Sequence, residues 1–323
     1  MPTVREIKKR IKSVDNIAQI TRAMEAVAAS RVRRAQARAL ASRAFSEKAW
    51  EILLNIHEMS PPGLILHPLL AERDAIRSAL IVIISADRGL AGAYNANILR
   101  MSHRFADRLA LPTRYITLGR KARDAMLQSG EAVIAEFSDL PDEPTLADLS
   151  PITQLATEEF LSGRADQIFI AYTDFVTMLS QRPVVLGWLP LIPYSTEDQV
   201  AAEYVKDTPD VSESGSDYEY EPGPEAILSE IVPRFTQLQL YQAVLESRAS
   251  EHAARMVAMR NASDAAGELT SQLTLVYNKA RQAVITAEIL DIVGGAEALQ
   301  ETLDSLAKQI EADLAARNNG VSN

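Results

Sequence analysis

The chain contains no cysteine. Disulfides, thiolate catalysis and cysteine-ligated zinc are therefore excluded. Long apolar runs are missing too: none approaches the roughly 20 residues that a membrane-crossing helix needs. The opening Met1-Pro-Thr-Val-Arg-Glu has no apolar signal core, and no cleaved presequence is read there. Proline is absent between Pro2 and Pro61, and the first glycine is Gly63. Basic charge is scarce overall, with a net charge of −10, yet the deficit is local. Residues 1–58 carry 12 Lys/Arg against 6 Asp/Glu, whereas residues 196–225 carry 10 acids and a single lysine. Such segregation implies different neighbours for different parts of the molecule.

Motifs for chemistry are equally scarce. Gly89-Leu-Ala-Gly92 matches neither a dinucleotide fingerprint nor a P-loop, and no Gly-Lys-Ser/Thr occurs. The four histidines, His57, His67, His103 and His252, never fall three to five apart, as metal-ligand pairs do. No serine-hydrolase elbow or isolated carboxylate pair is found. No catalytic residue, cofactor or metal ligand is assigned. Arg31, Arg33, Arg34 and Arg38 suit a phosphate backbone, a solvated face or the acidic surface of a protein partner. The lack of interleaved aromatics and a pI near 5.1 argue against nucleic acid.

What is present is helical periodicity at both ends. Thr3 with Glu6 forms a capping box. Ile7, Ile11, Val14 and Ala18 then repeat at 4-3-4, with Ile17, Ile20, Met24 and Val27 as a neighbouring stripe. A helix over residues 1–59 is predicted, roughly 85 Å long at 1.5 Å per residue, and it cannot bury its own stripe. Near the other end Leu269, Leu273, Val276, Ala280, Ala283, Ala287 and Leu290 recur at 4-3-4-3-4-3, the seam of a coiled coil. The two ends predict an antiparallel pair.

Between them the pattern changes. Ser60-Pro-Pro-Gly breaks the first helix. Ala79–Ile84 is a continuous β-branched run, suited to a strand buried on both faces. Helices are predicted over 93–109, 120–128 and from Ser150-Pro151 to about Gly163, with strands near 115–118, 132–137 and 167–172. This alternation predicts a small Rossmann-like α/β domain over 75–193. Pro183 to Tyr194 closes it, with β-structure confined to an edge by its prolines. Residues 194–222 read as an acidic surface loop, and 223–317 as the second long helix, opened by Pro224. A kink is predicted at Pro233 and a weak point at Gly294-Gly295.

With these elements in place the motifs coincide with one family. Arg5-Glu-Ile-Lys-Lys-Arg-Ile-Lys-Ser-Val, Ile20-Thr-Arg-Ala-Met-Glu-Ala-Val-Ala-Ala-Ser, Ser85-Ala-Asp-Arg-Gly-Leu-Ala-Gly-Ala-Tyr-Asn, Ala249-Ser-Glu-His-Ala-Ala-Arg-Met-Val-Ala-Met-Arg-Asn-Ala and Tyr277-Asn-Lys-Ala-Arg-Gln-Ala-Val-Ile-Thr resemble the F-type ATP synthase gamma subunit of bacteria. The resemblance runs through nearly the whole chain and is thinnest over about 130–220. It implies a non-catalytic central-stalk rotor inside a ring of three alpha and three beta subunits. The foot would sit against the epsilon subunit and the c-ring, so that membrane contact comes only through the complex. It implies a peripheral place on the cytoplasmic face of the bacterial cell membrane, with no nucleic acid bound.

By resemblance, Arg281 and Gln282 match a pair that hydrogen-bonds a loop of a beta subunit. Arg88 matches a basic position facing an acidic lever of beta, and Met24 a position near that lever. Ala91 stands where many members have cysteine, and the dithiol regulation of plant-type members cannot operate in a chain without cysteine. The competing readings from the residues alone are a coiled-coil scaffold or nucleic-acid-binding protein and a nucleotide-binding α/β enzyme.

Overall fold

The computed structural model describes residues 3–59, 67–191 and 224–319. The predicted linker over 60–66 and the acidic segment 194–222 lie outside the described residues. So do the side chains of 43–59 and 311–319 within their helices.

The elements run α1 (Val4–Met59), β1 (Ala79–Ile84), α2 (Tyr94–Leu109), β2 (Thr113–Leu118), α3 (Arg120–Gln128), β3 (Val133–Phe137), α4 (Leu146–Leu161), β4 (Gln167–Phe175), β5 (Gln181–Leu189) and α5 (Pro224–Asn319). The strands form one sheet in the order β3-β2-β1-β4-β5. Pairing is parallel except between β4 and β5, which is antiparallel. Strand β1 is central, with Ile81 opposite both Tyr115 and Phe169. All six of its residues are buried, as a β-branched run between two covered faces must be. Pro183, which lacks an N–H for a second ladder, sits in the edge strand β5.

Side-chain alternation along β1 separates two cores. Ile81 and Ile83 face Ile98, Met101 and Phe105 of α2 and Met126 of α3. The Phe105 and Phe169 rings meet edge-on there, centroids 4.9 Å apart. Leu80, Val82 and Ile84 face α4 and the first part of α5, where Leu228, Val232, Phe235, Leu240 and Val244 are buried. The Trp188 indole N–H donates to the Thr236 carbonyl at 3.0 Å, so the one polar atom of this large side chain is satisfied inside the core. Helix α5 is further laced to β4: the Thr173 N–H donates to Ser247 Oγ at 3.2 Å, and Ser250 Oγ to the Thr173 carbonyl at 3.1 Å.

Helix α4 begins earlier than predicted. Its N-cap is Thr145, whose hydroxyl accepts from the Asp148 N–H while the Asp148 carboxylate accepts from the Thr145 N–H. This capping box outcompetes Ser150-Pro151, and Pro151 lies inside the helix. The proline forfeits one i→i−4 bond, to the Ala147 carbonyl, in the second turn of the helix. Helix α5 runs on through Pro233 and through Gly294-Gly295. The segment after the glycine pair, Ala296-Glu-Ala-Leu-Gln, is made of strong helix formers, which offset their cost.

The chain groups into two compact units, Thr21–Asn261 and a smaller one of Met1–Ile20 with Ala262–Asn323. In the first, α1 buries Ala28, Val32 and Ala39, and Gln242 Nε2 of α5 donates to the Ala39 carbonyl at 3.2 Å. In the second, Thr3 and Glu6 make the reciprocal capping bonds at 3.0 and 3.3 Å that start α1. Ile7 is buried, with Ile11, Val14 and Ala18 half-buried. The covered row on α5 is Ser263, Ala266, Thr270, Leu273, Tyr277 and Ala280. It keeps the predicted 3-4 spacing but shares only Leu273 and Ala280 with the predicted seam. Leu269 and Val276 are 44% and 47% exposed, and Leu290 is 64% exposed. The helix carries apolar residues on several flanks here, so its spacing admits two adjacent frames, and smaller side chains occupy the one that packs. Past Ala280 every residue to Ile310 is exposed.

Truncating Leu240, buried where α5 meets the sheet, should cost about 2–5 kcal/mol. Urea unfolding of Leu240→Ala with native far-UV circular dichroism checks this.

Candidate functional site

Three places in the fold carry the residues singled out by sequence. The first is the turn after β1, Asp87 to Gly92. It is braced from behind: Asp87 Oδ1 accepts from the Arg120 N–H at 3.1 Å and so caps α3. Asn95 Oδ1 accepts from the Ala86 N–H at 3.0 Å, and Arg255 of α5 donates to the Gly89 carbonyl at 3.2 Å. Gly119 adopts φ +95, and a Cβ there would collide with the Ser85 carbonyl, so that only glycine lets α3 start this close to β1.

With its base held, the turn presents Arg88, Gly89 and Leu90 outward, all exposed. Leu90 has φ 62, a left-handed conformation that costs a non-glycine residue roughly 1 kcal/mol or more. Among the described residues nothing pairs with the Arg88 guanidinium, so the bracing falls to Asp87 and Arg255 rather than to Arg88. Sequence reasoning missed both; the available signal was the i,i+4 spacing of Glu251 and Arg255, which puts them on one helix face.

Beneath the turn is a buried ionic cluster on α5. Glu251, 5% exposed, accepts from Arg255 at 2.8 Å and from Arg248 at 3.4 Å. Burial, and after it the Glu251 carboxylate, push the Tyr94 phenol well above its ordinary range, so it stays protonated. His252 is 4% exposed. Burial pushes its imidazole down to about 4, with Arg255, Arg248 and Arg31 acting in the same direction and Glu251 opposing them. A cavity of about 240 Å³ lies beside the turn, lined by Tyr94, Asn97, Thr173, Leu179, Gln181, Ala258 and their neighbours. Among the described residues no lysine or arginine lines it, so none of them offers a nucleotide phosphate a positive charge there. Among the described residues no group of His, Asp and Glu is placed to hold a metal.

The second place is α1. Met24 is half-buried beside Thr21 and Ala28. Of the four arginines that follow, three have acids within this chain. Arg31 pairs with Asp142 at 3.0 Å, and Arg34 and Arg38 both pair with Glu143. Arg38 foremost holds the Glu143 carboxyl below its usual range. These exposed pairs are worth little individually, but their carboxylates occupy the positions a phosphate backbone would take. The spacing of the arginines was legible; their partners, more than a hundred residues away, were not.

The third place is α5 beyond its covered row. Arg281 and Gln282 are exposed, and the Gln282 carbonyl accepts from Thr286 Oγ1 at 2.9 Å. Among the described residues no side chain engages either one. From Ala283 to Val293 the helix reads Ala-Val-Ile-Thr-Ala-Glu-Ile-Leu-Asp-Ile-Val, so at 100° per residue apolar side chains point in every direction. Val284, Ile285, Ile289, Leu290, Ile292 and Val293 are nonetheless 42–72% exposed.

His252 yields a pH test. Its folded value lies below the ordinary 6.5. As pH falls the unfolded chain therefore takes up a proton first, and stability drops from about pH 6.5 toward 4 by at most roughly 3 kcal/mol. Urea midpoints of the wild type should decline over that window, and those of His252→Gln should decline less.

The ATP synthase family model matches residues 3–299. The ATP synthase gamma chain of Dehalococcoides mccartyi strain 195 is 45% identical over 299 residues, covering 93% of this chain and all of the relative. That of Chloroflexus aurantiacus J-10-fl is 43% identical over 303 residues, covering 93% and 99%. Among solved structures, a chain of the Euglena gracilis mitochondrial ATP synthase OSCP/F1/c-ring assembly superposes with TM-score 0.60 at 21% identity, over 92% of this chain and 94% of that one. A chain of the Tetrahymena thermophila mitochondrial ATP synthase central stalk and c-ring gives 0.55 at 23% identity, over 76% and 99%. The structural likeness speaks for the fold, and the match across nearly the full length of the bacterial relatives speaks for descent: the chain belongs to the ATP synthase gamma-chain family.

Proposed function

We propose that the chain is the central-stalk rotor of a membrane-associated F1Fo ATP synthase, transmitting ion-driven rotation of a c-ring to nucleotide sites on beta subunits while contributing no catalytic group itself. One observation carries this reading. A helix with apolar side chains on all its flanks is stable only when enclosed; residues 283–293, Glu288 and Asp291 aside, are such a helix, and among the described residues nothing surrounds them. A ring of three alpha and three beta subunits supplies the enclosure. Its inner wall can be apolar and close-fitting, so that the shaft turns without breaking specific polar bonds at each step.

Specific contacts then belong at the borders of the apolar zone. Arg281 and Gln282 stand at its lower border, where a planar guanidinium can hold a beta carboxylate bidentately and the amide a backbone group. Arg88, without an ion pair among the described residues and at the tip of a rigidly based turn, suits the acidic lever of beta, and Met24 packs near that lever. Because the shaft is asymmetric, each orientation presents these groups to a different beta subunit, which is how one rotor sets unequal affinities at chemically identical sites. The α/β domain is the foot, set against the epsilon subunit and the c-ring on the cytoplasmic face of the bacterial membrane. No helix among the described residues is long and apolar enough to cross that membrane.

The reading is tested by co-expression with alpha and beta subunits from the same source. A complex of three alpha, three beta and one copy of this chain, hydrolysing ATP only when the chain is present, is expected. A chain that stays apart, leaving alpha and beta unaffected, would return the scaffold reading to first place. Within the complex Arg281→Ala should lower ATP turnover, by about tenfold if one charge-assisted contact of about 1.4 kcal/mol is lost at the limiting step, while the isolated variant keeps its melting temperature. Equal turnover would remove Arg281 from the contact set.

A further inference from the structure

The family match stops at residue 299, but α5 continues to Asn319. The character of the helix changes just before that point. From Ala283 to Val293 apolar side chains lie on all flanks, interrupted by Thr286, Glu288 and Asp291; from Ala296 the helix is sharply one-sided. Ala296, Leu299, Leu303, Leu306, Ala307 and Ile310 fall within an arc of about 100° on a helical wheel. Glu297, Glu301, Asp304 and Lys308 lie on the opposite side. Leu299, Leu303, Leu306 and Ile310 are 51–62% exposed. The row runs at 4-3-4-3 spacing in unbroken register with Ile285, Ile289 and Ile292 of the preceding zone. An exposed apolar row of this regularity, extending past the part shared with relatives, is a surface shaped for something.

Three occupants compete. Against a lipid surface, the polar side carries three acids and only Lys308, whereas helices that lie in membrane interfaces carry mainly Lys and Arg. Against a second copy, the positions flanking the row are Gln300, Thr302, Ala307 and Gln309. None is charged, and coiled coils choose partners by charges there. A protein groove remains, with an apolar floor about 22 Å long at 1.5 Å per residue and a rim that is neutral to basic opposite the acids.

We infer that residues 296–310 form an additional docking face of this rotor, seated in an apolar groove of the alpha–beta ring beyond the enclosed zone. This rests on the rotor reading, because the register continuous with Ile285–Ile292 places the row next to whatever surrounds that zone. The enclosed zone lets the shaft turn; the one-sided zone engages one wall at a time and keeps its acidic side in water.

The absence of cysteine makes the test clean, since any introduced thiol is the only one in the chain. Leu303→Cys, Leu306→Cys and Asp304→Cys are made singly and labelled with a maleimide, reading the mass of this chain, once alone and once in the complex purified with alpha and beta subunits. Alone, the three should react alike. In the complex Leu303→Cys and Leu306→Cys should slow by about tenfold or more, as groups reached only through transient opening do, and Asp304→Cys should keep its rate. Equal rates at 303 and 304 in the complex overturn this inference alone. So does protection of Leu303→Cys or Leu306→Cys in the free chain that grows with its concentration, or that appears on adding anionic vesicles alone, which would assign the face to a second copy or to lipid. Failure to co-purify with alpha and beta overturns the rotor reading and this inference with it.

Discussion

A helix cannot bury itself, and the structure depends on how α5 meets that constraint along its 96 residues. Where it crosses the sheet it is covered on nearly all sides: from Ala243 to Ala253 every residue but Arg248 is buried. There it can carry polar and ionic residues inside: Glu251 pairs with Arg248 and Arg255 on the same helix, Arg248 also reaches the Leu140 carbonyl, Arg255 the turn, and the serines β4. In the smaller unit one flank is covered: Ser263 and Ala266 are buried, and Thr270, Leu273, Tyr277 and Ala280 half-buried. Beyond Ala280 no described residue covers it, yet from Ala283 to Val293 eight of eleven residues are apolar. An apolar stretch left exposed on a helix marks a surface for other subunits.

The same logic explains the rigidity of the foot. A torque transmitted through α5 has to be resisted where the helix joins the sheet. The joint combines the hydrophobic core on one face of β1 with hydrogen bonds that link Ser247 and Ser250 to the β4 ladder. The turn carrying Arg88 is tied to α5 through Arg255 and to α3 through Asp87. Motion of the helix therefore carries the turn with it instead of being absorbed by a soft loop. Leu90 holds its left-handed conformation because the residues on both sides are fixed.

Most of the α/β architecture was legible because its signals are local. The β-branched run of β1, the glycine ending β2 and the prolines of β5 each act within a few residues. What escaped the sequence was decided by competition or by distance. Thr145 with Asp148 and Ser150 with Pro151 are both credible helix starts, and the reciprocal capping bonds decided between them. The seam on α5 was read one frame aside because apolar residues on several flanks make adjacent 3-4 rows almost equivalent. The pairing of Arg31, Arg34 and Arg38 with Asp142 and Glu143 joins segments that the sequence separates by more than a hundred positions. A surface arginine looks the same whether its acid is in its own chain or in another.

That last ambiguity bears on the contact residues. Arg31, Arg34 and Arg38 have satisfied carboxylates beside them, so recruiting them to a partner would mean breaking pairs already made. Among the described residues Arg88 and Arg281 have none. A guanidinium that holds no ion pair breaks none when a carboxylate arrives. Of the arginines singled out by sequence, those without an ion pair among the described residues would give up least to a partner, whereas Arg31, Arg34 and Arg38 already hold Asp142 and Glu143. The rotor is shaped as much by which charges it satisfies internally as by which it leaves open.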